Sequence, residues 1–279
     1  MVDWFLECAD CGNQTEETSY FVKCPRCEGL LDVTYSKTPM GSFVDEGQSS
    51  IFRYHKLLPF DPEDRFHDYE TIEPTPEFVD DVLSNAANAE IVVKDESLLP
   101  TGTWKDREGL VSILRLLRND VSDMVLFSSG NTGTSLARSA GLVRGPMLHI
   151  VVPKASETRV RATMSEHVNP KFVTLYFFDG SNDECTVHAA DLANTHGYSL
   201  EGGFSNYARR EGLKLFGLEH FDRRERAVDW YAQAVASGIG VCSFTKSAQE
   251  TGHDCPRILA VQPEVCSPVV AAWEDGANE

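Results

Sequence analysis

Positive charge is scarce in this 279-residue chain: 25 lysines and arginines stand against 43 aspartates and glutamates, a formal charge of -18. A field of that sign repels phosphate backbones and anionic lipid, so nucleic acid and membrane surfaces are poor partners. Only nine of the 25 cations are lysine, and a surface so acidic and lysine-poor fits a salt-adapted protein. Long apolar runs are missing as well. The longest candidates are strand-sized pieces such as MLHIVV (residues 147–152), far below the roughly 18 residues of a membrane helix. The opening MVDWFLECADCG has no basic n-region and puts a cysteine pair where a signal peptide would place its apolar stretch, so a cytoplasmic protein is expected. Internal repeats and low-complexity tracts are also lacking, which excludes solenoids and propellers.

What is present is enough apolar residue, 42%, to fill a sizeable core in about two domains of about 150 residues each. Four of the eight cysteines fall in two C-x-x-C pairs, Cys8/Cys11 and Cys24/Cys27, twelve residues apart. Such knuckles can offer four thiolates tetrahedrally to one zinc, and a segment of about 30 residues needs that kind of clip to fold. Residues 1–36 therefore read as a zinc ribbon whose closed coordination is structural. Disulfides or a lost metal site are the alternatives, disfavoured in a chain without a secretion signal.

Residues 37–88 show little periodicity, and LPFDPEDRFHDYETIEPTPEF (58–78) mixes proline and acid as a connector does. From Ala89 onward short β-rich runs alternate with helical windows through RILAVQP (257–263). That alternation predicts an α/β fold with a mainly parallel sheet covered by helices on both faces. Three junctions between a strand and a helix stand out, expected at one edge of one sheet, where open α/β folds place their ligands. The first, Pro100 to Arg107, puts Lys105 at a helix start, where burial and the helix's positive end both disfavour the ammonium and free the amine as a nucleophile. The second, Ser128 to Thr134, offers hydroxyls and free N–H groups for an anion such as a carboxylate, though an ordinary N-cap turn also explains it. The third, Ala236 to Val241, has glycines that let backbone amides approach a phosphate.

KDESLLPTGTWKDREG (94–109) followed by SSGNTGTSLARSAG (128–141) resembles the fold-type II pyridoxal-phosphate family, and within it the threonine synthase group. The four-cysteine ribbon is similar to the leader on some members, and similarity runs from the ribbon through SIFRYHKLLP to RILAVQPE. The resemblance implies a tryptophan synthase beta-like fold over residues 37–279, with pyridoxal 5'-phosphate held by Lys105 as a Schiff base. It further implies Asn131 beside the cofactor ring, Ser129, Gly130 and Thr132 on the substrate carboxylate, and Ser237, Gly238 and Gly240 on the cofactor phosphate. The expected activity is that of a lyase or transferase converting phosphohomoserine to threonine and phosphate. EGGFSNYARREGL and YAQAVASGIG look closer to cysteate synthase, which replaces the phosphate of phosphoserine with sulfite; a catalytically weak regulatory paralogue is a further alternative. Either reaction needs a second anion site, for which Arg209, Arg210 and Lys214 are candidates unless they form a plain basic helix face.

The chain departs from the group in several places. ETIEPTPEF keeps only the T-P of a glycine-rich segment, Trp104 replaces the usual phenylalanine, and the phosphate loop reads ASGIGV, where Val241 is expected to resist a left-handed φ. Family members also continue past RILAVQPE, so the catalytic domain is expected to be short at its C-terminus, with a homodimer or a completing partner chain closing a bare sheet edge. The charge itself is testable. Because salt screens self-repulsion, the thermal unfolding midpoint is expected to rise from low salt into the molar range; a midpoint no higher in molar salt contradicts the salt-adapted assignment.

Overall fold

The structure is a computed structural model that describes residues 4–17, 19–36, 42–60, 72–223 and 227–276. The chain opens on β1 (Trp4–Cys8), β2 (Gln14–Thr15) and β3 (Leu31–Tyr35), an antiparallel sheet in the order β2-β1-β3. Leu6 pairs with Val33 and Cys8 with Leu31, so one face presents Leu6, Leu31 and Val33. That face shares a core with Ile51, Tyr54 and Leu57 of a 3-10 turn (Ser50–Leu57). Of the expected connector, residues 61–71 lie outside the described residues.

Next come β4 (Glu77–Val79), helix α1 (Asp81–Ala87) and β5 (Val92–Lys94), with β4 and β5 antiparallel. The stretch that lacks periodicity thus still folds, helped by Asp80, whose carboxylate caps α1 by accepting from Leu83 N at 2.9 Å. The alternation predicted from sequence then appears, with β9 and α8 as elements it did not include: α2 (Lys105–Arg118), β6 (Asp123–Phe127), α3 (Asn131–Val143), β7 (Met147–Pro153), α4 (Glu157–His167), β8 (Val173–Phe178), α5 (Asn182–His196), β9 (Ser199–Leu200), α6 (Tyr207–Arg223), β10 (Trp230–Ala234), α7 (Ile239–Thr251), β11 (Arg257–Val261) and α8 (Pro268–Glu274).

Strands β8-β7-β6-β9 form one all-parallel sheet. Its period-two pattern puts Met124, Leu126, Leu148, Ile150 and Val152 on one face with Leu136, Ala137 and Ala140 of α3 and Val160 and Met164 of α4. Val125 and Val151 face the other way, onto Cys185, Ala189 and Ala193 of α5. Helices therefore cover both faces, as expected. One expectation fails: the three junctions do not share a sheet. Among the described residues β5 pairs with β4, β6 lies in the four-stranded sheet, and β10 pairs in parallel with β11. What gathers them is helix packing. A Cβ on Gly212 of α6 would stand 2.5 Å from the Arg107 carbonyl oxygen, so α2 and α6 approach at a distance that only glycine permits. Among the described residues no helix is long and apolar enough to cross a membrane.

The α2–α6 contact encloses charge. The Arg107 guanidinium is fully buried between Glu96 (Nε to Oε2, 2.6 Å) and Glu219 (Nη2 to Oε2, 2.8 Å). Lys94 Nζ also reaches Glu219 at 2.8 Å, and Thr75, of the surviving T-P, donates to Glu96 at 2.6 Å. The cluster fastens β5 and the 72–76 segment onto both helices. Stripping one partner from such a group leaves buried charge unanswered, at about 3–5 kcal/mol. Glu219→Ala is therefore expected to lower the unfolding free energy by about that much in urea titration; a loss below about 1 kcal/mol, the range of an exposed pair, contradicts a structural role for the cluster.

Candidate functional site

Lys105 is the first residue of α2, and its position is set by the loop before it. Gly102 takes a left-handed φ of +73°. The Asp106 carboxylate folds the loop back by accepting from Thr101 N (2.7 Å) and Thr101 Oγ1 (2.9 Å). Asp106 and Arg107 are thus the scaffold of the motif, one pinning the loop and the other anchoring the helix. The Lys105 amine is mostly buried and stands 3.3 Å from Glu108 Oε2. Burial lowers its proton affinity below that of a free lysine; Glu108 opposes the shift and Arg209 adds to it.

The second junction is tied to the first. Ser135 Oγ donates to the Lys105 carbonyl at 2.6 Å, and Thr132 Oγ1 donates to Glu108 Oε1 at 3.1 Å. The helix start leaves N–H groups without intrahelical acceptors; Ser128 Oγ takes those of Gly130 at 3.3 Å and Gly133 at 2.9 Å. The N–H groups of Asn131 and Thr132 head the same helix turn, with Asn131 exposed. The Thr132 hydroxyl is turned inward to Glu108. Arg159 of α4 borders this loop, donating from Nη2 to the Ser129 carbonyl at 2.6 Å. No motif in the sequence pointed to it.

The third junction meets the first through an aromatic ring. A Cβ on Gly240 would fall onto the Trp104 ring and within 2.6 Å of Gln233 Nε2, so the residue before Lys105 rests directly on the loop that holds Ser237, Gly238 and Gly240. Trp104 is braced from behind by Phe216, centroids 5.6 Å apart. The left-handed position here is Gly238, at φ +82°. Val241 lies inside α7 with ordinary helical φ, so the strain expected there does not arise. Ile239 is buried.

Arg209, Arg210 and Lys214 are neither a solvated basic face nor open anion sites. Arg209 binds Glu108 (Nη2 to Oε1, 3.0 Å) and Glu201 (Nη1 to Oε1, 3.2 Å). Arg210 donates to the carbonyls of Leu31 and Phe204 and lies 3.7 Å from Asp32. Fully buried Lys214 is 2.6 Å from both Glu211 Oε2 and Glu250 Oε2. Sequence spacing showed three cations on one helix; it did not show the carboxylates that consume them.

At the other end of the chain the Sγ atoms of Cys8, Cys11, Cys24 and Cys27 lie within 4.8 Å of one another. Cys8 and Cys27 are 3.5 Å apart and Cys11 and Cys24 3.8 Å. A tetrahedron of metal–sulfur bonds of about 2.3 Å has an edge of about 3.8 Å, whereas a disulfide spans about 2.05 Å. The cluster is compatible with zinc.

These features agree with what the chain is similar to. The family described as "Pyridoxal-phosphate dependent enzyme" matches residues 69–279. A cysteate synthase of Methanococcoides burtonii is 26% identical over 98% of this chain and 66% of its own length. A threonine synthase of Methanosarcina acetivorans is 25% identical over 98% of this chain and 68% of its own. The chain thus spans about two thirds of the length of these relatives. Among solved structures, threonine deaminase isoform 2 of Solanum lycopersicum superposes with a TM-score of 0.65 at 18% identity, covering 85% of this chain and 65% of that one. A pyridoxal 5'-phosphate-dependent aspartate racemase superposes at 0.61 and 22% identity, over 74% and 62%. At such identities the structures speak for the fold alone, the tryptophan synthase beta-like arrangement of parallel sheets between helices. With a family match over most of its length and the expected architecture around Lys105, the chain belongs to the pyridoxal-phosphate dependent enzymes.

Proposed function

We propose that this chain acts in the manner of a threonine synthase on a phosphorylated amino acid, converting phosphohomoserine to threonine and phosphate. The observation that carries this is the convergence of three loops on one amine: Glu108 joins Lys105 to the Asn131 loop, and Trp104 joins it to the Gly240 loop. The residues fit pyridoxal 5'-phosphate. Lys105 would hold it covalently, Asn131 would face its ring, and Ser237, Gly238 and Gly240 would take its phosphate at the N-terminus of α7, where helix N–H groups favour an anion. When bound, the cofactor supplies an electron sink for the carbanion left by a departing substrate proton. Lys105 Nζ, its proton affinity lowered by burial, is the atom placed to take and return that proton. Ser129, Gly130 and the Thr132 N–H receive the substrate carboxylate. Arg159 has no carboxylate partner among the described residues, and it supplies the second anion site for the substrate phosphate in place of Arg209, Arg210 and Lys214.

A second substrate reading has its own support, since cysteate synthases recur among the relatives: phosphoserine would lose phosphate to sulfite at the same site. We further assign residues 1–36 to a structural zinc ribbon and 37–279 to the cofactor-binding domain, a division supported by the separate antiparallel sheet and the four converging thiols.

Phosphate release separates the substrates. Release from phosphohomoserine without sulfite is expected, and Arg159→Ala should lower kcat/KM by about tenfold or more, the effect of a lost hydrogen bond to a charged group. Release only from phosphoserine with sulfite selects the second reading, and no release from either overturns both. For the ribbon, metal analysis of purified protein should find about one zinc per chain, as four-thiolate sites bind, lost in Cys8→Ser; full-length protein that folds equally well with a chelator present contradicts a structural metal.

A further inference from the structure

Glu108 is a fully buried carboxylate one helical turn from Lys105, and its two oxygens do different work. Oε2 faces Lys105 Nζ at 3.3 Å; Oε1 accepts from Arg209 Nη2 at 3.0 Å and from Thr132 Oγ1 at 3.1 Å. We propose that Glu108 is a positioning residue for Lys105, its carboxylate aiming the amine and keeping Thr132 of the neighbouring loop in register with it. The proposal rests on Lys105 being the cofactor lysine.

The surroundings make this more than a buried ion pair. Arg209 is shared with Glu201, which also accepts from Asn206 Nδ2 at 3.2 Å and Gly203 N at 3.0 Å. The charged groups facing Nζ are therefore Glu108 on its own helix, Arg209 on α6 and Glu201 after β9, with the Trp104 ring centroid 5.2 Å away and also favouring a cation. Two carboxylates and two cations balance when Lys105 is an ammonium. Losing that proton strands a net negative charge in a site that water reaches poorly, which costs most where the dielectric is low. Glu108 thus restores to Nζ part of the proton affinity that burial removes, and it does so only while its own geometry holds. The same carboxylate governs Thr132, so the loop offered to the substrate carboxylate cannot shift without disturbing the lysine.

The test reads the amine directly. Trace acetylation of Lys105 across pH in full-length protein freed of cofactor, followed by peptide mass spectrometry, gives the midpoint at which Nζ becomes a free amine. Removing the negative charge disfavours the ammonium, so Glu108→Gln is expected to move that midpoint down by about one pH unit or more, as loss of an opposite charge at this range does. Glu108→Asp keeps a counterion for Arg209 but withdraws it from Nζ, and should move the midpoint the same way by less. Where Glu108→Gln is folded by circular dichroism it decides the matter; where it is not, Glu108→Asp does. A wild-type midpoint in the deciding variant overturns the proposal and leaves Glu108 as a structural partner of Arg209. Neither outcome depends on cofactor attachment, so a failure here is distinct from a failure of Lys105 to carry the cofactor.

Discussion

The seam between α2 and α6 carries charge where most helix pairs carry leucine. Arg107 and Glu108 are adjacent on α2 and meet opposite signs on α6, Glu219 and Arg209. Each charge is buried, and each is unaffordable alone, because a carboxylate or guanidinium out of water is tolerated only when its hydrogen bonds and countercharge are both in place. The seam therefore has one register. A slip of a single residue along α2 would set Asp106 or Glu108 against Glu219, and one along α6 would take Glu219 away from Arg107.

That register is what makes a site out of scattered junctions. β5, β6 and β10 belong to three different sheets, yet the loops that follow them meet. Arg107 fastens the β5 side to α6; Glu108 fastens the α3 start to α2; Trp104, wedged between Phe216 of α6 and Gly240 of α7, sets the third loop. The next residues of α6 turn the other way, toward the ribbon. Tyr35 donates to Glu211 at 2.8 Å, and Lys246 of α7 bridges Glu211 and Asp32 at 2.8 and 2.9 Å. Burial alone would push the Glu211 carboxyl up, but Lys214 and Lys246 hold it at about 2. One helix thus presents Arg209 to the lysine and Arg210, Glu211 and Lys214 to the four-cysteine segment.

Most of the local structure was legible in the sequence because it is locally determined. The change from period 2 to period 3.6 located α2 to α7 closely, and the P-T-G and S-G-N turns fell where strands give way to helices. What escaped depends on residues distant along the chain. Glu108, read in place, is an unremarked helix glutamate between Arg107 and Gly109; its burial follows from Arg209, 101 positions away. Arg210 and Lys214 looked available for a substrate phosphate because their partners lie in the ribbon and in α7. Val241 looked strained because it was compared with a glycine of the family's phosphate loop, but the helix starts at Ile239 and in that loop Gly238 takes the left-handed φ. The shared sheet edge was wrong because strand pairing is set by tertiary contacts, and nothing in β5 or β10 itself says which neighbour it joins.

The proposed function turns on one amine, and chemistry at that amine is the most direct check. Protein loaded with pyridoxal 5'-phosphate, reduced with borohydride, digested and mapped by mass should carry the cofactor on the peptide containing Lys105. An adduct on another lysine, or an unmodified Lys105 peptide from loaded protein, contradicts the account.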